Sequence, residues 1–289
     1  MADKDILEKA LMSYADVFAD CENVLVYEGE QVVCAENLQP APTESFYWGG
    51  QRLHNQFCDV SFYLVENGEI KAQYIIGNET RLKSRQVLRK ASYQGGAYRQ
   101  QLESGNAVYP VISMVIDWTR KNTHIPLSLH SLLVQNGVLQ ERLKLVDDVK
   151  LSVFHMKHLP EEIRNKFTSD IGFVADFLNG KSFENRRKQK IIHIEALCQM
   201  MEALTGDARF TVSINKLLKI QEEGKEILMC EYIDMLEARG QAKGEIRGEN
   251  RLASLLEKLY SLGRDEDAKL AVRDENIRKR LYQELCVLS

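Results

Sequence analysis

With 289 residues the chain is long enough to bury a full core and still carry an additional helical region. A hydrophobic share of 44% beside 28% charged residues describes a soluble globular protein, and no apolar run reaches membrane-spanning length, so the cytoplasm is the expected compartment. The net charge of −4 gives no overall attraction to polyanions, so any phosphate contact has to come from a local basic patch. Cys21, Cys34, Cys58, Cys198, Cys230 and Cys286 show no CxxC or paired spacing, which favours packing thiols over a disulfide framework or zinc site.

In chain order, apolar residues from Ile6 to Leu25 recur at helical steps and predict one long amphipathic helix to about Tyr27. Gln39-Pro40-Ala41-Pro42-Thr43 marks a loop, after which Thr43-Glu44-Ser45 is placed to cap a short helix broken by Gly49-Gly50. The runs Phe57 to Val65 and Ile70 to Gly77, joined by Glu66-Asn67-Gly68-Glu69, predict a β-hairpin. Leu88, Ala91, Gly95, Tyr98 and Leu102 predict a helix over Gln86 to Leu102, with Gly95 allowing close backbone approach. Tyr109 to Trp118 reads as a strand buried on both faces, and a further strand is expected over Val149 to Phe154.

After Pro160 the pattern is helical: Glu161 to Asn179, Lys190 to Leu204, a long element from about Glu226, and a last one over Ala268 to Leu285. The expected architecture is therefore an α/β core over residues 1–135 (helix, β-hairpin, helix, buried strand), a helical extension over 136–225 and a C-terminal helical association tail over 226–289. In that tail Gly240, Gly244 and Gly248 recur every fourth residue. Each costs a helix about 1 kcal/mol relative to alanine, which points either to close pairing between subunits of a homo-oligomer or to a frayed linker.

The chemistry concentrates around the hairpin. Cleaving a phosphodiester with a divalent ion needs carboxylates gathered on one face. Asp59 shares a face with Glu79 only if the hairpin register is right. A regular two-residue Asn67-Gly68 turn sends Glu79 to the opposite face, whereas a bulged turn or an equivalent irregularity brings the two together. Arg81, Lys83, Arg85, Arg89, Lys90 and Arg99 follow with no acid between Glu79 and Glu103, a stripe suited to a phosphate backbone, or else a solvated helix face. A second basic run, Lys181, Arg186, Arg187, Lys188 and Lys190, reads first as a solvated helix start and otherwise as a DNA contact from the helical half. His54, His155, His158 and His193 lack the spacing of a metal site.

Several stretches carry a family resemblance: Tyr14-Ala15-Asp16-Val17-Phe18 with Ala41-Pro42-Thr43-Glu44-Ser45, Gln56 to Val60, Leu88 to Leu102, Phe167-Thr168-Ser169-Asp170 with Val174-Ala175-Asp176, and the glycine-spaced C-terminal helix. The chain resembles the Rpn group of recombination-promoting nucleases and putative transposases, YhgA-like members of the PD-(D/E)XK nuclease superfamily. The resemblance implies a restriction-endonuclease-like core that cleaves DNA with Mg²⁺ held by an aspartate and a Glu-x-Gln or Glu-x-Lys motif. Asp59 matches the aspartate, Asn78 the middle residue and Glu79 the last position, while Gly77 stands where the glutamate is expected. Gln94 replaces a common aspartate and Cys58 a basic residue. Asp16 is expected either to project toward Asp59 as a further metal ligand, as an acidic helix residue does in many nucleases of that superfamily, or to serve as a cap or solvated charge, and Lys83, Arg85, Arg89, Tyr98 and Arg99 are the candidate nucleic-acid contacts. Two outcomes stay open: Glu79 replaces the missing ligand in a working nuclease, or the fold persists as a non-enzymatic DNA-binding or self-associating protein.

Overall fold

The computed structural model describes residues 9–49, 52–105, 107–119, 124–180, 184–212 and 214–285. A helical turn at residues 9–12 precedes helix α1 (Ala15–Leu25). The single long helix expected there is interrupted because Tyr14 takes an extended conformation and stacks its ring on His193, with centroids 3.7 Å apart. Strand β1 (Leu38–Pro40) follows. The short helix expected after Thr43 is instead a two-stranded antiparallel sheet of β2 (Glu44–Gly49) and β3 (Arg52–Phe57), whose aromatic-rich first strand suits a pleated ribbon better than a helix. His54 lies within β3.

The main sheet has five strands in the order β1-β4-β5-β6-β7, with β4 (Val60–Glu66), β5 (Glu69–Glu79), β6 (Val111–Asp117) and β7 (Val153–His155). β1, β4 and β5 pair antiparallel, and β5, β6 and β7 run parallel, so the chain is α/β with a mixed sheet. Helix α1 covers one face, where Phe18 packs on Phe62 at 4.6 Å and the Tyr27 and Tyr74 hydroxyls meet at 2.8 Å. Helix α2 (Gln86–Ser104) covers the other, packing Tyr93 and Ala97 with Cys58, Ile75 and Val111. Burial pushes the Cys58 thiol up to about 11, as expected of a packing cysteine.

The hairpin turn is the two-residue one. Asn67 and Gly68 both have positive φ, 53° and 79°, the mirror-image turn that matches strand twist. The register then shifts: Val65 pairs with Ile70 but Leu64 pairs with Ala72, leaving Lys71 as the extra residue of a bulge. From there to Val60↔Ile76 the pairing is uniform, which places Asp59 opposite Gly77. The irregularity needed to put Asp59 and Glu79 on one face is present, at Lys71 rather than in the turn itself.

After β6 the described α-helices up to residue 222 are α3 (Leu129–Gln135), at the end of the expected core, and α4 (Glu161–Arg164), α5 (Ile171–Leu178), α6 (Ile194–Thr205), α7 (Arg209–Val212) and α8 (Ile214–Glu222) in the helical extension. The continuous helix expected over Glu161 to Asn179 is split at Phe167-Thr168-Ser169-Asp170, because this turn is held by α1 rather than by helical hydrogen bonds. Asp20 accepts from the Thr168 and Ser169 backbone N–H groups and hydroxyls at 2.7 to 3.2 Å. Gly172 is required beside it, since a Cβ there would collide with the Arg186 guanidinium.

Contacts divide the chain into two compact units, Met1–Met229 and Cys230–Ser289. The second is built from α9 (Met229–Ser261, 33 residues), α10 (Asp265–Arg273) and α11 (Glu275–Glu284), which share a core of Leu255, Leu259, Ala268, Ala271 and Leu281. The single tail helix expected over Ala268 to Leu285 is broken at Asp274, whose carboxylate caps α11 through the Asn276 and Ile277 amides. No described helix is long and apolar enough to cross a membrane.

Candidate functional site at the strand ends

Alternation along β5 sends Ile75, Gly77 and Glu79 toward α2, the face on which Asp59 stands. Asp59 lies just before β4. Its Oδ2 accepts the Asn78 backbone N–H at 2.6 Å and its Oδ1 meets Lys9 Nζ at 2.8 Å. Glu79 is buried, and its Oε1 accepts from Gln86 Nε2 at 2.7 Å and forms an ion pair with Arg89. Arg89 also donates to the Tyr93 hydroxyl at 2.9 Å. Burial works against the Arg89 charge, but Glu79 and Tyr93 hold the guanidinium above its usual range. Burial also raises the Tyr93 phenol, Arg89 opposes this, and the Asp59 charge adds to it.

This donor set does not fit Mg²⁺. A hard cation needs several oxygen ligands with free lone pairs. Here each carboxylate already faces a cation of the chain itself, Lys9 on Asp59 and Arg89 on Glu79. The third position is Gly77, and no group of three or more His, Cys, Asp or Glu among the described residues is arranged to hold a metal ion. Sterics do not explain the glycine: an added Cβ would meet Val115 Cγ2 at 3.7 Å and the Met114 carbonyl at 3.8 Å, ordinary contacts.

Asp16, expected beside Asp59, is engaged elsewhere. Its two oxygens lie 2.8 and 2.9 Å from His193 Nε2, so the residue joins α1 to the start of α6. The residue of the first helical segment that reaches Asp59 is Lys9. Among the expected nucleic-acid contacts, Lys83, Arg85 and Arg99 are exposed, whereas Arg89 is committed to Glu79 and the Tyr98 hydroxyl accepts the Val111 N–H at 3.2 Å. Arg186, from the second basic run, is neither solvated nor available. It is buried, pairs with Asp176, and donates to the carbonyls of Phe167 (3.0 Å) and Arg164 (2.6 Å).

Beyond Glu79 the strand ends hold Asp117, which sequence reasoning did not single out, and His155, which it set aside for want of metal-site spacing. In register across the parallel strands, Glu79 pairs with Asp117 and Asp117 with His155. Asp117 Oδ2 lies 2.6 Å from His155 Nδ1 and 3.1 Å from the Thr119 hydroxyl, and Oδ1 accepts the Thr119 N–H at 3.0 Å. The available signal was a lone aspartate closing an otherwise apolar buried strand. Comparison with protein-family models, curated proteins and solved structures finds no match. The class that fold and site define is an α/β protein with a five-stranded mixed sheet, a helix on either face and a helical C-terminal region, carrying paired acidic and basic side chains where its parallel strands end.

Proposed function

We propose that this chain is a DNA-binding protein of the Rpn type, built on a restriction-endonuclease-like core, in which metal-dependent cleavage has been lost. One observation carries the reading: both strand-end carboxylates are neutralised by cations of the chain, Lys9 on Asp59 and Arg89 on Glu79. The order helix, hairpin, helix, parallel strand supports the core assignment, and the exposed Lys83, Arg85 and Arg99 supply charges for a phosphate backbone. In this reading Asp59 is a structural residue that ties the Asn78 amide and the Lys9 ammonium to the start of β4.

A second reading, an Mg²⁺-dependent DNA endonuclease, has one specific support, the bulge that sets Glu79 on the Asp59 face. It requires Lys9 and Arg89 to leave their carboxylates when DNA binds. Incubation of supercoiled plasmid with Mg²⁺ or Mn²⁺ separates the two. The first reading expects wild type and Asp59→Ala to give the same metal-independent background, while a labelled duplex is still bound with an affinity that falls as salt rises. Neither metal should move the thermal midpoint of the wild-type chain. Metal-dependent nicking by wild type that disappears in Asp59→Ala selects the endonuclease, and absence of salt-dependent duplex binding overturns both. Because a side chain at position 77 is sterically admitted, Gly77→Glu is expected to fold and to respond to Mn²⁺ where wild type does not.

A further inference from the structure

We propose that the carboxyl edge of the parallel strands contains a nucleic-acid phosphate site centred on His155, with Asp117 as its positioning residue. This rests on the DNA reading above and adds a contact which that reading does not contain. β5, β6 and β7 are parallel, so the chain leaves all three at the same edge, where open α/β sheets bind ligands. The last in-register row is Glu79, Asp117, His155, and Glu79 is already neutralised by Arg89.

The Asp117 side chain is only 1% exposed, and each of its oxygens is used: one holds His155 and the Thr119 hydroxyl, the other the Thr119 amide. An ionised carboxylate only accepts, so the ring donates to it from Nδ1 and turns Nε2 outward; in the doubly protonated ring Nε2–H is the donor that a phosphate oxygen requires. The His155 side chain is 35% exposed, and its Nε2 has no partner among the described residues. Packing alone requires no oriented ring. A fully engaged buried aspartate behind a half-exposed imidazole presents Nε2 in one direction.

The surroundings select the ligand. The segment leaving β5 carries Arg81, Lys83 and Arg85, all exposed, and the segment leaving β7 carries Lys157 and His158. No acid occurs from residue 80 to 102 or from 149 to 160. In a chain of net charge −4, the segments that leave these strands thus carry basic residues and no acid, a composition that disfavours a metal cation and suits a phosphate oxygen.

The test is fluorescence anisotropy of the full chain with a labelled duplex, beside thermal unfolding without DNA and the imidazole NMR resonances during titration. His155→Ala is expected to weaken binding about tenfold, the worth of one charge-assisted hydrogen bond, with an unchanged unfolding midpoint. Asp117→Asn should weaken it less. The double variant should bind no worse than His155→Ala, because Asp117 acts only through the ring. In the wild type the His155 resonances shift as duplex is added. Unchanged affinity in His155→Ala, or unmoved resonances, overturns the site while wild-type binding keeps the DNA reading. A wild-type chain that does not bind duplex overturns both.

Discussion

At the residue scale, the most consequential side chain outside the strand ends is Glu22. It lies in α1 with 0% exposure, neither carboxylate oxygen has a hydrogen-bond partner among the described residues, and burial pushes its carboxyl well above the ordinary carboxylate range. A folded-state value raised above the unfolded one means that the native state holds its proton longer. Stability is then fully present below the ordinary carboxylate value and is lost as pH rises toward the raised one. Urea unfolding at pH 5 and pH 8 should therefore show a wild-type chain weaker at pH 8, and Glu22→Leu should reduce that difference while gaining about 1–3 kcal/mol at the higher pH. An equal pH dependence in the variant would reject the assignment. Glu22 also shows where sequence reading stops. Asp59 and Glu79 were legible as candidates from their place in the hairpin, but which cation meets each carboxylate depends on distant packing, and neither Lys9 nor Glu22 differs in sequence from an ordinary helix-surface charge.

At the element scale, the Asn67-Gly68 turn, the presence of the helix after it and the buried strand over Val111–Asp117 were legible from turn chemistry and periodicity, but the packed face of that helix was not: Leu88, Tyr98 and Leu102 are exposed, and Val87 and Ala97 are buried instead. The bulge at Lys71 was legible only as a requirement, because no residue type there marks it. The split of the Glu161 to Asn179 segment was not legible, since its cause lies in α1. Asp20 satisfies the turn before α5, and Asp170 in turn accepts the Ile192 and His193 amides at 2.7 to 3.3 Å, just ahead of α6. Each carboxylate thus serves a helix start in another segment, the role a local N-cap plays elsewhere. Asp20→Ala leaves the buried Ser169 amide and hydroxyl and the Thr168 amide and hydroxyl beside them without acceptors, and is expected to cost about 3–5 kcal/mol in urea unfolding, against under 1 kcal/mol for a solvent-exposed change such as Glu30→Ala. A cost below about 1 kcal/mol would show that the turn holds itself.

At the scale of the whole molecule, the C-terminal unit of Cys230–Ser289 carries its own small core, and its long helix keeps glycines that its own side chains do not explain: an added Cβ at Gly244 or Gly248 meets nothing within 4 Å. In a lone helix Gly244→Ala with Gly248→Ala should stabilise by about 1 kcal/mol per site. If this face pairs between subunits, the same change should dissociate the oligomer. Mass in solution together with the thermal midpoint decides, and a stabilised chain of unchanged mass rejects pairing.

The first unit is joined in a way that bears on how it is made. Asp20 and the turn that donates to it are separated by 148 positions, so α1 leaves the ribosome long before Thr168 and Ser169 exist. At ordinary synthesis rates that interval is roughly 10–30 s, during which a half-built sheet waits with its first helix unsecured. Completion of the α/β half therefore depends on sequence well beyond it, and a nascent chain halted near residue 135 should remain a chaperone substrate.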